Sequence, residues 1–344
     1  MAVYTLIDRE ELAQIVDDYG LGKLLVSDSG ARGSLNTHYL LDTARGKFLL
    51  KIDEVKSELE VKREIDLLLF LRKHAFPCPQ PLPDRKGRHY REIGGKCISL
   101  YRHIEGDTFD SSTLKLSQLE NVGRELAALH LIGKGYKKGI ENRFSFERIF
   151  ELYRDVREKL PTYFRKVART LDEEVDYLHY YLEGKLPKGI IHGELFSDNV
   201  LLKRDKLVGM LDFEAACRGK FVYDLATAVN ALCFTEGKYQ IRRFEALIAG
   251  YESLRTLSLA EWDAFPNELR FSALRFTVTR LKDYFLRSDD DRPADAADFQ
   301  EFYDRLRILR REEDGGMEGM LMAMATGYDY RKYQKVKAFE KKGK

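Results

Sequence analysis

Two polar residues, Asn199 and Asp212, stand at the two ends of a segment whose pattern predicts a β-hairpin. The segment NVLLKRDKLVGMLD consists of two short apolar runs, with Arg204 and Asp205 at the predicted turn. The ends of such a hairpin meet because its strands pair in antiparallel register. The pattern therefore predicts that an amide oxygen and a carboxylate lie close together, which suits Mg²⁺, a cation that prefers oxygen ligands and often bridges phosphates.

A further acid, Glu194, lies five residues before Asn199 in the stretch IIHGELFSDNVLL. In phosphoryl transfer an acid orients the attacking hydroxyl and accepts its proton. The order His192, Glu194, Asn199, Asp212 matches that of the catalytic loop and metal-binding aspartate of protein kinases. The sequence thus predicts phosphoryl transfer with Glu194, Asn199 and Asp212 as catalytic residues. We expect His192 to support the loop, and Asp224 to be a helix N-cap that also braces the loop.

Phosphoryl transfer also needs a nucleotide site, and the N-terminal part supplies each of its components in the required order. Lys51 lies on a predicted strand and could contact the ATP phosphates, and Glu64 on the next helix could hold that lysine. The segment GARGSLNT predicts a loop over the phosphates, and CISLYRHIEG predicts a strand whose backbone binds adenine. The predicted nucleotide-binding residues are Gly33, Ser34, Lys51, Glu64, Tyr101, Arg102 and Ile104.

Two stretches, IIHGELFSDNVLL and GMLDFEAACRGKFVYDLATAVNALCF, resemble the catalytic loop and metal-binding segment of aminoglycoside-phosphotransferase-like kinases. Within that superfamily the chain most resembles the type II homoserine kinases, over residues 1 to about 310, with GARGSLNTHYLL and ALRFTVTRL as further matching segments. The resemblance implies a protein-kinase-like fold and ATP- and Mg²⁺-dependent phosphorylation of a small-molecule alcohol, with Asn199 and Asp212 as the metal ligands. L-Homoserine, in threonine biosynthesis, is the first candidate acceptor. Aminoglycosides and choline or ethanolamine are the alternatives.

The family pattern has aspartate where this chain has Glu194. One extra methylene moves the carboxylate outward by roughly 1.5 Å, and a misplacement of that size can reduce a rate on the order of a hundredfold. Three interpretations remain open: an active variant, a slower or substrate-altered enzyme, and a nucleotide-binding pseudokinase.

The acceptor site must bind both an ammonium and a carboxylate if the substrate is homoserine. Charged residues near the metal-binding segment and on the late helix LRFTVTRLKDYF are the candidates, although a solvated or salt-bridged helix face is an alternative interpretation. The predicted substrate residues are Glu214, Arg218, Arg275 and Arg280, with Asp283 as a further candidate acid on the helix.

The hydrophobic pattern predicts an α+β, bilobal chain. Strands near 23–29, 36–42, 47–53 and 96–103, with a helix over 57–76 that has a Ser57–Glu60 capping box, predict a sheet-containing nucleotide-binding lobe over residues 1–104. Helices predominate over residues 105–312, the predicted catalytic and substrate-binding lobe, and residues 313–344 are a predicted tail. The predicted helices are 8–19, 117–133 (capping box Ser117 and Glu120), 144–159, 170–184, 222–235, 238–255, 258–286 with a break, and 296–312.

The charge balance is nearly neutral, with 58 Lys and Arg against 56 Asp and Glu, so we expect no nucleic-acid or membrane partner. The four cysteines are isolated and form no CxxC pair, which predicts reduced thiols. The N-terminal stretch has no apolar run of signal-peptide length. These features predict a cytoplasmic protein. Both a monomer and a homodimer remain open as its oligomeric state.

Overall fold

The computed structural model describes residues 5–32, 36–182, 184–285 and 299–310. An N-terminal lobe contains an antiparallel sheet with two helices, and a larger C-terminal lobe is mainly helical, as predicted. The helices are α1 (Arg9–Asp18), α2 (Glu58–Lys73), α3 (Leu116–Gly133), α4 (Phe146–Lys159), α5 (Arg165–Tyr181), α6 (Phe221–Leu232), α7 (Ile241–Glu252), α8 (Leu259–Phe285) and α9 (Phe299–Arg310). The strands are β1 (Leu24–Arg32), β2 (Asn36–Thr43), β3 (Gly46–Asp53), β4 (Arg91–Ile93), β5 (Lys96–Arg102), β6 (Lys188–Ile191), β7 (Val200–Lys203), β8 (Lys206–Met210), β9 (Cys217–Lys220), β10 (Phe234–Thr235) and β11 (Lys238–Tyr239).

The sheet of the N-terminal lobe has the strand order β1-β2-β3-β5-β4, with every neighbouring pair antiparallel. Alternate residues of β3 point to opposite faces. Phe48, Leu50 and Ile52 enter a core that they share with the buried side of α1, and Lys51 and Asp53 therefore lie on the opposite face. This alternation puts a lysine and an aspartate on the side of the sheet that carries α2.

Helix α2 begins with the predicted capping box, in which the Glu60 carboxylate accepts from the Ser57 backbone N–H and the Ser57 side chain accepts from the Glu60 N–H. Val61 and Ile65 pack against Cys97 of β5. Residues three and four apart share a helix face. Glu64 therefore lies close to the packed face, where it can reach the sheet.

The C-terminal lobe places the catalytic segments between helices. Strand β6 pairs with β9, and β7 pairs with β8 in the predicted hairpin, where Arg204 adopts a left-handed conformation at the turn (φ 58°). Helices α3 and α7 pack at very short range because Gly123 and Gly250 lie at their crossing. These short strands pack into a large core that includes residues of α3, α6, α7, α8 and α9.

Several predicted boundaries are wrong. The capping box at α3 does not involve Ser117 and Glu120, because the helix begins one residue earlier and the Gln118 side chain accepts from the Lys115 backbone N–H (2.9 Å). Ser117 instead donates to Asp205 at the hairpin turn (2.9 Å). Helix α5 begins at Arg165 rather than at residue 170.

The predicted helices 222–235 and 238–255 run into a two-stranded hairpin that the sequence pattern did not reveal. Strands β10 and β11 pair around a turn at Glu236 and Gly237, both with positive φ. Helix α8 continues through Pro266 without the predicted break. The lobe boundary at residue 104 stays a prediction, and the tail 313–344 lies outside the described residues. Within the described ranges, none of the helices combines the length and apolar character needed to cross a lipid bilayer.

Candidate active site

Lys51 is the centre of an ionic cluster between the two lobes. Its ammonium lies 3.2 Å from Glu64 and 2.8 Å from Glu214. It also lies 3.2 Å from Asp53 on the same strand face. Burial opposes the charge on this ammonium, but the carboxylates of Glu64, Glu214 and Asp53 outweigh it and raise the lysine pKa well above its ordinary value. Lys51 therefore remains positively charged in the cleft.

A second lysine, Lys56, shares these carboxylates, although no sequence pattern predicted it. Its ammonium lies 3.0 Å from Glu214, 3.5 Å from Asp53 and in direct contact with Glu64. Burial alone would raise the pKa of Glu214, but Lys51 and Lys56 lower it to about 2. Asn36 completes this environment by donating to the Glu214 carboxylate (2.5 Å). The period-two alternation of β3 could have identified Asp53, but no local pattern indicates that Lys56 turns back into the cleft.

The catalytic loop follows directly from β6. Its first two backbone N–H groups, those of His192 and Gly193, both donate to the carboxylate of Asp224 at 2.7 Å. Gly193 has φ +79°, and a Cβ there would lie 2.8 Å from the Ala215 carbonyl oxygen, so glycine is required for this close approach. Asp224 is not an N-cap, because α6 begins at Phe221 and Asp224 lies inside its first turn. The expectation that Asp224 braces the loop is confirmed.

His192 fixes the loop to the metal-binding segment. Its Nε2 donates to the Leu211 carbonyl (2.7 Å), and its Nδ1 accepts from the Glu194 N–H (3.3 Å), so the hydrogen-bond network requires the neutral tautomer. Burial lowers the pKa of His192, which keeps the ring uncharged. His192 thus supports the loop, as expected.

Asn199 and Asp212 are brought together at the base of the β7–β8 hairpin. The Leu211 N–H donates to the Asn199 carbonyl (2.8 Å), and the Asn199 amide nitrogen donates to the Glu194 carbonyl (2.9 Å). The amide oxygen of Asn199 is thus the group left to act as a ligand. Asp212 adopts a left-handed conformation (φ 56°), and its carboxylate accepts from the Glu214 N–H (3.2 Å).

The Asp212 carboxyl lies in a strongly anionic environment. The residue is exposed to solvent, and its carboxyl group lies near the charged groups of Lys51, Glu194 and Glu214. Desolvation, followed by repulsion from Glu214 and Glu194, raises its pKa to about 7 in spite of the opposing charge of Lys51. A bound cation would relieve this repulsion, and both Asp212 and Asn199 offer the oxygen atoms that a hard divalent cation prefers.

The segment predicted to bind adenine joins the two lobes. Tyr101 is buried at the end of β5, and the Arg102 guanidinium lies 5.9 Å from the centroid of the Phe48 ring. Beyond the strand, the His103 N–H donates to the Lys47 carbonyl (3.1 Å), and Ile104 packs over Gly209 of β8. Gly33 and Ser34 lie outside the described residues.

The predicted substrate residues occupy four different environments. Glu214 belongs to the lysine cluster, and Arg275 is buried against the catalytic loop. Arg218 is exposed on β9, where it lines a cavity of about 600 Å³ with Lys188 and Lys220. Arg280 is partly buried and pairs with Glu301 of α9 (2.6 Å). Of these four, only Arg275 contacts Glu194 within the described part of the chain.

The chain is similar in sequence to known proteins over most of its length. Residues 30–257 match the model of the phosphotransferase enzyme family. The chain is 36% identical over 287 residues to a homoserine kinase of Caulobacter sp. (strain K31), covering 83% of this chain and 89% of that protein. It is 34% identical over 289 residues to a homoserine kinase of Agrobacterium fabrum, covering 83% and 88% respectively.

Solved structures show the same fold at low sequence identity. An amicoumacin kinase in complex with AMP-PNP and Ca²⁺ superposes with a TM-score of 0.68 at 17% identity, covering 87% of this chain and 94% of that one. A choline kinase of Cryptosporidium parvum superposes with a TM-score of 0.66 at 14% identity, covering 91% and 98%. The predicted protein-kinase-like fold is confirmed. The chain belongs to the phosphotransferase enzyme family and is a small-molecule kinase.

Proposed function

We propose that this kinase transfers the γ-phosphoryl group of ATP to the hydroxyl of L-homoserine in a Mg²⁺-dependent reaction. The observation that carries the proposal is the 36% identity to a homoserine kinase over 83% of the chain. The catalytic loop adds support, since it holds an acid, an amide and a second carboxylate in the order that phosphoryl transfer requires.

The nucleotide phosphates are proposed to bind at Lys51, which Glu64 holds in place. An amicoumacin kinase with AMP-PNP and a spectinomycin phosphotransferase with ADP share the fold, which supports a nucleotide site in this cleft. The ammonium of Lys56 lies beside that of Lys51 on the same carboxylates and adds to the positive charge available to the phosphates.

Asn199 and Asp212 are proposed to hold the metal ion. Mg²⁺ bound there would neutralise charge on the phosphate oxygens as the phosphoryl group is transferred. The Asp212 backbone and the hydrogen bond from Asn199 to the Glu194 carbonyl fix the two ligands relative to the catalytic acid. The two proposed metal ligands and the proposed catalytic acid are therefore connected by hydrogen bonds through Asn199.

Glu194 is proposed to orient the attacking hydroxyl. The hydroxyl oxygen forms a bond to the γ-phosphorus while the bond to the bridging oxygen of ADP breaks, and the carboxylate of Glu194 takes the hydroxyl proton. Its side chain keeps 36% of its surface exposed, so an acceptor can reach it from the cleft. Since the transition state is loose, positioning contributes more than base strength, and a glutamate can serve where the family pattern has aspartate.

The experiment is a measurement of ADP release from MgATP with L-homoserine, choline, ethanolamine, hydroxylysine and kanamycin as acceptors. We expect homoserine-dependent turnover, with O-phosphohomoserine identified by mass spectrometry. Glu194→Gln is the matched variant, because it keeps the size and removes the charge, and we expect a loss of about 10²- to 10⁴-fold.

Preference for another acceptor would move the assignment within the small-molecule kinases. Nucleotide binding without turnover on any acceptor would favour the pseudokinase interpretation. The proposal includes a role in threonine biosynthesis, a cytoplasmic location and a monomeric or homodimeric state.

A further inference from the structure

Arg275 lies behind the catalytic loop and is the largest of the fully buried side chains among the described residues. One of its terminal nitrogens donates to the Gly193 carbonyl (3.1 Å), and the other lies 3.4 Å from Glu194 Oε2. Its residue surface is 1% exposed. A substrate in the cleft therefore has almost no Arg275 surface to contact, although the sequence pattern suggested a substrate-binding role.

Aromatic rings fix the position of this guanidinium. The rings of Phe144 and Phe276 lie on it, each with its centroid 3.9 Å from the Arg275 central carbon. Cation–π contacts of this kind are strongest where water is excluded. The rings restrict the guanidinium plane, so the directions of its N–H groups are set before any substrate arrives.

A buried cation needs an anion, and the described structure offers Arg275 one carboxylate within ion-pair distance, that of Glu194. Its Nε has no hydrogen-bond partner within the described part of the chain, so the terminal nitrogens make the polar contacts of the guanidinium. Both of those contacts go to consecutive residues of the catalytic loop. Arg275 thus contacts both the backbone carbonyl of Gly193, the residue that precedes the acid, and the carboxylate of Glu194 itself.

We infer that Arg275 is a positioning residue that holds the carboxylate of Glu194 in its catalytic orientation; the inference rests on the proposed function of Glu194 as the acid that receives the hydroxyl proton. One carboxylate oxygen faces the guanidinium, while the side chain stays accessible from the cleft. This contact is a physical reason for a glutamate rather than an aspartate at position 194. An aspartate would withdraw the carboxylate by roughly 1.5 Å and lengthen the contact with the buried arginine.

The test is a double-mutant cycle on kcat with Arg275→Lys and Glu194→Gln. Lysine keeps the charge but lacks the planar pair of donors, so we expect kcat to fall roughly ten- to a hundredfold, the size of effect that a small misplacement causes. The KM for ATP should stay within about twofold, because Arg275 makes no contact with the lysine cluster. In the Glu194→Gln background the same substitution should change kcat by less than about twofold, since the carboxylate it orients is absent.

The matched control is Arg270→Lys. Arg270 is another buried arginine of α8, with two hydrogen bonds to Glu174 (2.8 and 2.6 Å) and a stacking contact on Tyr177 (3.8 Å), but it does not contact the catalytic loop. We expect it to lower the melting temperature without changing kcat of the folded enzyme. Equal losses of kcat from Arg275→Lys in both Glu194 backgrounds, or no loss at all, would overturn the inference.

A readout that needs no turnover separates this inference from the proposed function. Carbodiimide labelling of carboxyl groups, followed by peptide mass spectrometry, reports how accessible Glu194 is. We expect its labelling to increase at least severalfold in Arg275→Lys and to stay constant in Arg270→Lys. If the native chain phosphorylates no acceptor but the labelling changes as expected, the proposed function fails and the contact stands. Unchanged labelling would overturn the positioning role whatever the activity.

Discussion

The carboxylate of Glu214 lies 2.8 Å from the ammonium of Lys51, so the segment that follows Asp212 in the C-terminal lobe contacts the lysine of the N-terminal sheet. Glu64 contacts the same ammonium at 3.2 Å. Lys51 therefore has one carboxylate that orients it within its lobe and another that joins it to the catalytic half of the cleft. Any phosphate that binds Lys51 must compete with Glu214.

Replacement of Lys51 by Met is predicted to lower kcat/KM for ATP by about 10²- to 10³-fold, the loss expected when a preorganised cationic donor is removed from a desolvated site. Steady-state kinetics with varied ATP would measure it. Lys47→Met is the control, since Lys47 is exposed on the same strand and we expect its substitution to change kcat/KM by less than about twofold. Equal losses in the two variants would contradict the role of Lys51.

Removal of the Glu214 charge is predicted to strengthen nucleotide binding in the absence of a metal ion. In Glu214→Gln the ammonium groups of Lys51 and Lys56 lose a carboxylate that lies 2.8 Å and 3.0 Å away, and they become available to phosphates. We expect Kd for ADP, measured by calorimetry in EDTA, to fall by about five- to tenfold, which corresponds to roughly 1–1.4 kcal/mol. Weaker ADP binding would show that Glu214 supports the site rather than competes for it. Glu141→Gln, an exposed glutamate, serves as the control.

Much of the site could be predicted because its residues occur in short, local sequence patterns. The spacing of Glu194 and Asn199 and the hairpin that returns to Asp212 depend on a few neighbouring residues, and the Lys51–Glu64 contact follows from strand alternation and helix spacing. The capping box at Ser57 is equally local. The bilobal fold could be predicted for the same reason.

The contacts that could not be predicted join residues distant in sequence. Lys56 enters the cleft because three carboxylates from different elements surround it. Arg275 reaches the catalytic loop because α8 packs against that loop. The β10–β11 hairpin was assigned to helices because its short strands have no alternation of their own. Tertiary packing determines all of these features, and a single sequence contains no periodic signal for them.

The close crossing of α3 and α7 predicts a large loss of stability in Gly250→Ala. A Cβ at Gly250 would lie 1.8 Å from the Glu120 carbonyl oxygen, a backbone atom that cannot move without displacing α3. We expect the free energy of unfolding to fall by about 3 kcal/mol or more, at the upper end of overpacking effects. Gly139→Ala is the control, because no atom lies within 4 Å of its Cβ position in the described structure. Urea unfolding of both variants measures the difference, and equal stabilities would contradict the packing.

Acid is predicted to destabilise the protein through two buried histidines that hold the catalytic loop. His130 donates from Nε2 to Asp224 (2.9 Å) and accepts at Nδ1 from Tyr251 (2.7 Å), so Asp224 joins this histidine to the loop. Burial lowers the pKa of both His130 and His192 in the folded state. The unfolded chain therefore binds protons that the folded chain does not, and stability is lost as the pH falls below about 6.5, the ordinary histidine value.

Each histidine that stays uncharged in the folded state should contribute up to about 1.4 kcal/mol per pH unit to the slope of unfolding free energy against pH. Asp212, whose pKa is raised to about 7, contributes with the opposite sign, so the slopes of the variants are compared with that of the native chain. Urea unfolding at several pH values between 7.5 and 5.5 would measure it. In His130→Gln we expect a smaller slope, because one of the two groups no longer titrates. In His179→Gln, which removes an exposed histidine, we expect the native slope. A His130→Gln slope equal to the native one would show that this histidine accepts a proton without cost and that the loop does not depend on its neutral form.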